Sequence, residues 1–516
     1  MATPSLAMIP SAYADSKVYS VLPNNGDGDF TFNRDSSATR VGQNGLIQTV
    51  GFFGNNLVTN GDFSNGSTDW GLGSNWSVAN GKASCDGSAS NSMSQASTVG
   101  IASTTFKVSY DVLSISQGSI RITLGGVAGS SVSQVGSYSD FITATSTDRL
   151  RIFADSSAIA SIDKIVVQQV TGDQPRLNYD ISNGVVQSCP SLLLEPASTN
   201  SFPNSEDYTV FGAFSNGTGT NPVITSNYSV SPDGTQNADR IQFNRGSGTS
   251  SSDTSYVTKS LSLGTIDATL SIYLKTNDGT TKDVTLRLGT GLFDHDVIVT
   301  SEWKRFALSG NTSVDRVQIL LYGNQNSQTA DLSCFGTQVE ALSYATSYIP
   351  TNGASQTRAA ETCFLHNIDN GILNQSAFTL FYDTNVLNNT ANNFTDLIAL
   401  YDTAASTNLR LESRTDSKVY VQQVGVVSSG DNFNSASFGS NSVNFKKFAI
   451  SCSTTKVQLW ADGNKINEYT GVYVYAFDKI GFRFNDASVE TKIQNKSLQL
   501  FDTALTDAQL QTLTTL

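Results

Sequence analysis

The chain has 516 residues, room for roughly three to four domains of about 150 residues each. Only 15% of residues are charged and the net charge is -13, which argues against a nucleic-acid or anionic-membrane partner, since both need a basic face. With 38% hydrophobic residues, 27 Phe and 18 Tyr the chain can build several cores, and no apolar run reaches the ~20 residues a membrane helix needs.

In chain order, residues 1–55 form an irregular N-terminal segment with Pro4, Pro10 and Pro23 and the turn-rich Asn24-Asn25-Gly26-Asp27-Gly28-Asp29. Its start has neither a basic n-region nor a long apolar stretch, so no secretory signal is readable. Residues 56–170 alternate apolar and polar at period two, as in Phe106-Lys107-Val108-Ser109-Tyr110 and Ile120-Arg121-Ile122-Thr123-Leu124, the pattern of half-buried strands. Residues 171–197 read as a linker. Residues 198–350 repeat the earlier pattern in Leu270-Ser271-Ile272-Tyr273-Leu274 and Val284-Thr285-Leu286-Arg287-Leu288. The two units also open alike, with Asn60-Gly61-Asp62-Phe63 leading to Trp70 and Asn204-Ser205-Glu206-Asp207-Tyr208 leading to Phe211. Residues 351–370 form a second linker, and residues 371–516 read as one further sandwich. Proline is absent beyond Thr351, which suits a many-stranded sheet because proline cannot donate to a ladder. The one amphipathic helix is expected at the end, with Thr506 as N-cap before Asp507-Ala508-Gln509-Leu510. The fold class is all-β: tandem β-sandwiches after an irregular N-terminal anchor.

Chemistry is restricted by scarce residue types. There are two histidines, His295 and His366, and five separated cysteines, Cys85, Cys189, Cys334, Cys363 and Cys452. No CxxC, HxxxH or HExxH spacing exists, so zinc sites are excluded and the cysteines read as small buried hydrophobes. Asn25-Gly26-Asp27-Gly28-Asp29 offers oxygens that calcium could use, but it lacks the bidentate Glu of an EF-hand and reads as an ordinary turn. No catalytic residue, metal or cofactor is assigned. In Asp294-His295-Asp296 the two carboxylates share one strand face and the imidazole points away, so the three do not converge. For glycan binding, Trp70, Trp76 and Trp303 read as packing residues. Trp460 reads mainly as packing and is kept as a candidate platform with Tyr473 and Tyr475, which share one face of Val472-Tyr473-Val474-Tyr475. A structural tyrosine ladder or a subunit contact explains the same pair.

Three stretches carry a resemblance. They are Ser36-Ser37-Ala38-Thr39-Arg40-Val41-Gly42-Gln43-Asn44-Gly45-Leu46-Ile47, then Cys189-Pro190-Ser191-Leu192-Leu193-Leu194-Glu195-Pro196-Ala197-Ser198-Thr199-Asn200, then Ala345-Thr346-Ser347-Tyr348-Ile349-Pro350-Thr351 with Thr357-Arg358-Ala359-Ala360-Glu361. They resemble segments of tailed-bacteriophage virion proteins of the head-fibre, spike or tail-fibre type. The two middle units resemble jelly-roll carbohydrate-binding modules, and residues 371–516 resemble laminin-G/concanavalin-A-like lectin sandwiches. The resemblance implies a structural virion protein, not an enzyme, located in the virion. Its N-terminal segment would attach to capsid, portal or tail proteins, and its modules would display glycan-binding surfaces to the host. It also implies a homo-oligomer, with a trimer favoured; charge and the lack of a long apolar run separately lead us to expect neither nucleic-acid binding nor membrane insertion. The alternative reading is a secreted glycan-binding adhesin, or a polysaccharide-degrading enzyme with accessory binding modules.

Overall fold

The computed structural model describes residues 2–171, 173–182, 184–289, 294–323, 325–386, 394–404, 406–414, 418–441, 446–487 and 489–515. Nearly all regular structure is antiparallel sheet, and the chain forms tandem β-sandwiches as its alternation requires. Two compact units result. One comprises Met1–Gly51, Gly172–Ser198 and Arg358–Leu516; the other comprises Phe52–Thr171 and Thr199–Thr357.

The second unit holds two sandwiches. In the first, a six-stranded and a five-stranded sheet enclose a core into which Phe106, Val108, Tyr110 and Val112 project while Lys107, Ser109 and Asp111 face away. Trp70 lies in this core, its ring 5.5 Å from that of Phe63, and its indole N–H donates to the Asn60 carbonyl at 2.9 Å. The second sandwich pairs two five-stranded sheets around Leu270, Ile272, Val284, Leu286 and their neighbours. Its opening turn likewise ends in the core, with Tyr208 stacked on Phe211 at 5.3 Å.

The first unit is built from two nine-stranded sheets, and here the structure redraws the boundaries read from sequence. Strand Leu6–Met8 pairs with Ile493–Phe501, Leu6 opposite Leu500. Strand Phe30–Asn33 pairs with Thr362–His366, Phe32 opposite Cys363. Strand Ser191–Leu194 also pairs with Ile493–Phe501. Residues 1–51 are therefore no free-standing anchor, and 172–198 and 362–366 are no mere linkers. The reason is physical: Leu6, Met8, Phe30, Phe32, Leu192 and Leu194 supply apolar surface that only the C-terminal sandwich's core can bury. The chain of the first unit is thus interrupted twice, by the segments Phe52–Thr171 and Thr199–Thr357 that form the sandwiches of the second.

Ser36, Glu195, Arg358 and Glu361, from the stretches that carry the virion resemblance, meet in this unit with Arg34 and Arg176 around buried charge. Arg176 binds Glu361 at 2.6 Å and Glu195 at 2.7 Å. Arg34 reaches Glu361 at 3.0 Å and Arg358 reaches Glu195 at 3.1 Å, all with side chains at most 1% exposed. Glu195 N–H donates to Glu361 Oε2 at 2.8 Å, and Ala359 N–H donates to Ser36 Oγ at 2.9 Å. Burial holds the Arg34 guanidinium below its ordinary pKa despite Glu361. Burial also opposes the Arg176 charge, yet Glu361 and Glu195 outweigh it and raise the pKa. These ion pairs join residues 34–36, 176–195 and 358–361 within the first unit.

The C-terminal helix spans Asp507–Thr514 as expected, and Thr506 N–H donates to Gln509 Oε1 at 3.0 Å. Its Leu510 packs with Phe381, Ala449, Trp460, Phe501 and Leu505 in a second small core on the outer side of one sheet.

Candidate functional site

The second sandwich presents a sheet whose outer face combines aromatic and hydrogen-bonding groups. Its strand order is Gly212–Asn216, Thr254–Ser260, Arg316–Tyr322, Lys282–Leu288, Asp294–Val299. On the inner face Val257, Val317, Ile319, Val284, Leu286 and Val297 enter the core. Alternation then places their neighbours on the opposite face, where Thr285, Leu320 and Gln318 in the middle are themselves buried and Phe214, Tyr256, Arg287 and Tyr322 are at least partly exposed. Register places Phe214 opposite Tyr256, Tyr256 opposite Leu320, Leu320 opposite Thr285, and Thr285 opposite Asp296. A parallel row runs Thr258, Gln318, Arg287, Asp294. At about 4.8 Å between strands, five strands make a face roughly 19 Å across.

At one side Phe214, 48% exposed, stacks on Tyr256 with centroids 5.7 Å apart and planes 26° from parallel. At the other side lies a groove of about 570 Å³ lined by Asp283, Asp294, Asp296, Tyr322 and Gln325 among others. Arg287 binds two of the groove's residues. Its Nε and Nη2 donate to the Asp294 carboxylate at 2.6 and 2.8 Å, its Nη1 donates to Gln318 Oε1 at 3.1 Å, and it also contacts the Tyr322 hydroxyl. Thr285 Oγ1 donates to Asp296 Oδ1 at 2.5 Å, and Gln325 Nε2 donates to Thr285 Oγ1 at 2.6 Å. The Asp294 hydrogen bonds raise the Arg287 pKa, while burial pushes the Tyr322 phenol up to about 12. The guanidinium and phenol therefore keep their protons throughout the neutral range. The result is a fixed lattice of donors and acceptors beside an aromatic surface, with side chains already oriented before any ligand arrives.

The platform candidates lie elsewhere and are buried. Tyr473 and Tyr475 are 1% and 5% exposed, whereas Val472 and Val474 are 50% and 54% exposed. The faces are thus the reverse of what sugar stacking needs. Tyrosine buries more apolar area than valine, and each phenol finds a backbone acceptor: Tyr473 donates to the Asp431 carbonyl at 3.0 Å and Tyr475 to the Ser453 carbonyl at 2.9 Å. Trp460 is 6% exposed because the C-terminal helix covers it. Trp76 is buried, its indole donating to the Asn91 carbonyl at 3.3 Å; Trp303 is half-buried and donates to the Val230 carbonyl at 3.2 Å.

In the N-terminal turn, Asn25 Nδ2 donates to Asp27 Oδ2 at 2.6 Å and Asp29 Oδ1 accepts from Ser20 N–H at 3.0 Å, so its oxygens serve the turn itself. His366 pairs with Asp486 at 3.0 Å in the first unit, while His295 lies in the second. Asp294 and Asp296 share a face as expected, and both belong to the donor–acceptor lattice. Sequence reasoning missed Phe214, Tyr256, Arg287, Gln318, Tyr322 and Gln325. The available signal was the polar outward position in each alternating strand, as Arg287 occupies between Leu286 and Leu288.

No family model matches the chain, and no curated protein matches it. Among solved structures, it is similar to a mutant of Trypanosoma rangeli sialidase displaying trans-sialidase activity, at 10% identity and a TM-score of 0.25 over 30% of this chain and 26% of that one. The match thus spans about a quarter of that sialidase's length. The carbohydrate-binding module CBM40 of Ruminococcus gnavus IT-sialidase, bound to alpha2,3 sialyllactose, matches at 12% identity and a TM-score of 0.22, over 27% of this chain and 83% of the module. The N-terminal CBM22 tandem of Paenibacillus barcinonensis Xyn10C matches at 10% identity and a TM-score of 0.19, over 60% of this chain and all of the tandem. Likeness at these levels assigns neither ligand nor activity to this chain.

Proposed function

We propose that this chain is a glycan-binding protein and that its ligand lies across the outer face of the five-stranded sheet of the second sandwich. One observation carries the reading: the Phe214–Tyr256 stack shares a row with the Thr285–Asp296 pair, and the Arg287–Asp294 pair lies in the next row of the same face. Aromatic faces take the C–H side of sugar rings, and carboxylate, amide and guanidinium groups take the hydroxyls. A face of this breadth suits an oligosaccharide of several units. The chain binds without turnover on this reading.

A glycan array followed by calorimetric titration tests it. Phe214→Ala and Arg287→Ala are each expected to weaken binding at least about tenfold while leaving the melting temperature of the first unit unchanged. Binding that survives both substitutions would move the site elsewhere, and an array without a hit would end the glycan reading. Release of reducing ends from a bound polysaccharide would make the protein an enzyme.

The finer reading is a virion appendage of a tailed bacteriophage, on head or tail, supported by the motif stretches given above. Repetition around a particle raises effective concentration, so weak single sites add to firm attachment. Because residues 1–51 are woven into the first unit, attachment to capsid, portal or tail would use that folded unit, not a free arm. A symmetric oligomer, a trimer by the resemblance, belongs to the same reading. Mass spectrometry of separated heads and tails would find the polypeptide in one fraction; its absence from both would sink the virion assignment.

A further inference from the structure

A second cavity, distinct from the sheet face, lies within the second unit. A cleft of about 300 Å³ opens where its two sandwiches meet, bridged by Gln134 Nε2 donating to the Ser226 carbonyl at 2.9 Å and Asn352 Nδ2 donating to the Ala128 carbonyl at 3.1 Å. Asp140, Glu206, Asp207 and Asp239 line it, and no Lys, Arg or His stands among its described lining residues. The remainder of the wall is rich in serine, threonine and asparagine.

Independent of the acids, two residues that line the cleft carry buried polar atoms without a partner. Tyr110 is 2% exposed, lines the cleft, and its hydroxyl has no hydrogen-bond partner. Its ring stacks on Tyr138 at 5.7 Å, but Tyr138 has its own acceptor in the Gln134 carbonyl at 2.8 Å. Across the cleft, Asn237 Nδ2 donates to Glu206 Oε2 at 2.8 Å while Asn237 Oδ1 is buried without a partner. A buried hydroxyl and a buried amide oxygen left unpaired are each costly, so both call for a ligand with its own donors and acceptors.

We propose that the cleft binds a small polyhydroxylated ammonium ligand, an amino sugar, whose positive charge faces Glu206 and Asp140 and whose hydroxyls meet Tyr110 and Asn237. The charge argument excludes acidic sugars, because nothing in the wall balances another carboxylate. A metal ion fits poorly: no group of three or more carboxylate, imidazole or thiol side chains converges among the described residues. A polyatomic cation spreads its contacts over the wall instead. The displaced-charge state of the acids agrees, since desolvation, with Asp233 and Asp140 nearby, pushes Glu206 up to about 8, as a site lacking its counter-ion would show. This inference does not rest on glycan binding at the sheet face.

Ligand-detected NMR titration of the full chain tests it with three probes: D-glucosamine, D-glucose and Nα-acetyl-L-lysine amide. Glucosamine is expected to bind at least about tenfold tighter than either of the others, because only it supplies both charge and hydroxyls. Glu206→Gln should weaken glucosamine about tenfold. Tyr110→Phe should weaken it several-fold without lowering the melting temperature, since it removes only an unpaired hydroxyl. Glucose binding as well as glucosamine would overturn the charge argument, and the lysine amide binding as well would overturn the sugar. Absence of glucosamine binding, or full binding in both variants, would overturn the site.

Discussion

Three carboxylates of the second unit keep their protons into or near the neutral range, and this has a measurable cost. Desolvation is the first cause in each case: it pushes Glu206 up to about 8, Asp239 to about 7 and Asp140 to about 6. Asp233 and Asp140 add to the effect at Glu206, which faces Tyr348 and Asn237, while Asp207 adds to it at Asp239. Unfolded carboxylates ionise near pH 4. Between there and the folded values the folded chain holds more protons, so stability is full at low pH and is lost as pH rises toward about 8. The melting temperature of the second unit should therefore fall between pH 5 and pH 8.5, and Glu206→Gln should flatten that slope. A slope of opposite sign would refute the assignment. None of this was legible in Asn204-Ser205-Glu206-Asp207-Tyr208, where a carboxylate in a polar opening turn reads as solvated. The neighbours that desolvate Glu206 come from distant segments, and no local pattern reports them.

At the level of strands, local pattern succeeded where one face is buried and failed where both are. Val284-Thr285-Leu286-Arg287-Leu288 reads as a half-buried strand and is one, with Arg287 outward. Strand Lys456–Ala461 is buried along almost its whole length, because the helix caps its outer side, and so alternation says nothing about where Trp460 points. The aromatic pair was unreadable for another reason: Phe214 and Tyr256 lie on strands that only register brings together. Short strands at the sequence margins were the hardest. Leu6–Met8 spans three residues, too few to show a period, yet it is buried throughout and closes a ladder on Ile493–Phe501. Replacing Leu6 and Met8 with Asp should leave that ladder's edge and core open. The expected outcome is a first unit that melts lower or aggregates, seen by light scattering during a thermal ramp, while glycan binding at the sheet face persists. An unchanged ramp would show that the pairing contributes nothing.

For the molecule as a whole, two bodies with separate cores predict two calorimetric transitions. Glu361 touches Arg34 and Arg176 in a site where the charges are fully buried. Removing one partner of such a set strands the others, at a cost of about 3–5 kcal/mol. Glu361→Gln should thus lower one transition and leave the other in place; a shift of both together would mean that the two bodies unfold as one. The motif around Glu361 was visible in sequence as a resemblance, but its physical role was not, because the partners of one carboxylate come from three separate stretches of chain.

The pairing of Leu6 with Leu500 also sets a timetable for synthesis. The partner strand Ile493–Phe501 is made on the order of tens of seconds after Leu6–Met8. Both inserted sandwiches are complete long before then and can fold as they appear. Residues 1–51 and 172–198 must meanwhile remain without their final neighbours, exposing Leu6, Phe30, Leu192 and Leu194 to solvent and to other nascent chains. Crowded polysomes and high expression temperature should therefore harm the first unit before they touch the second.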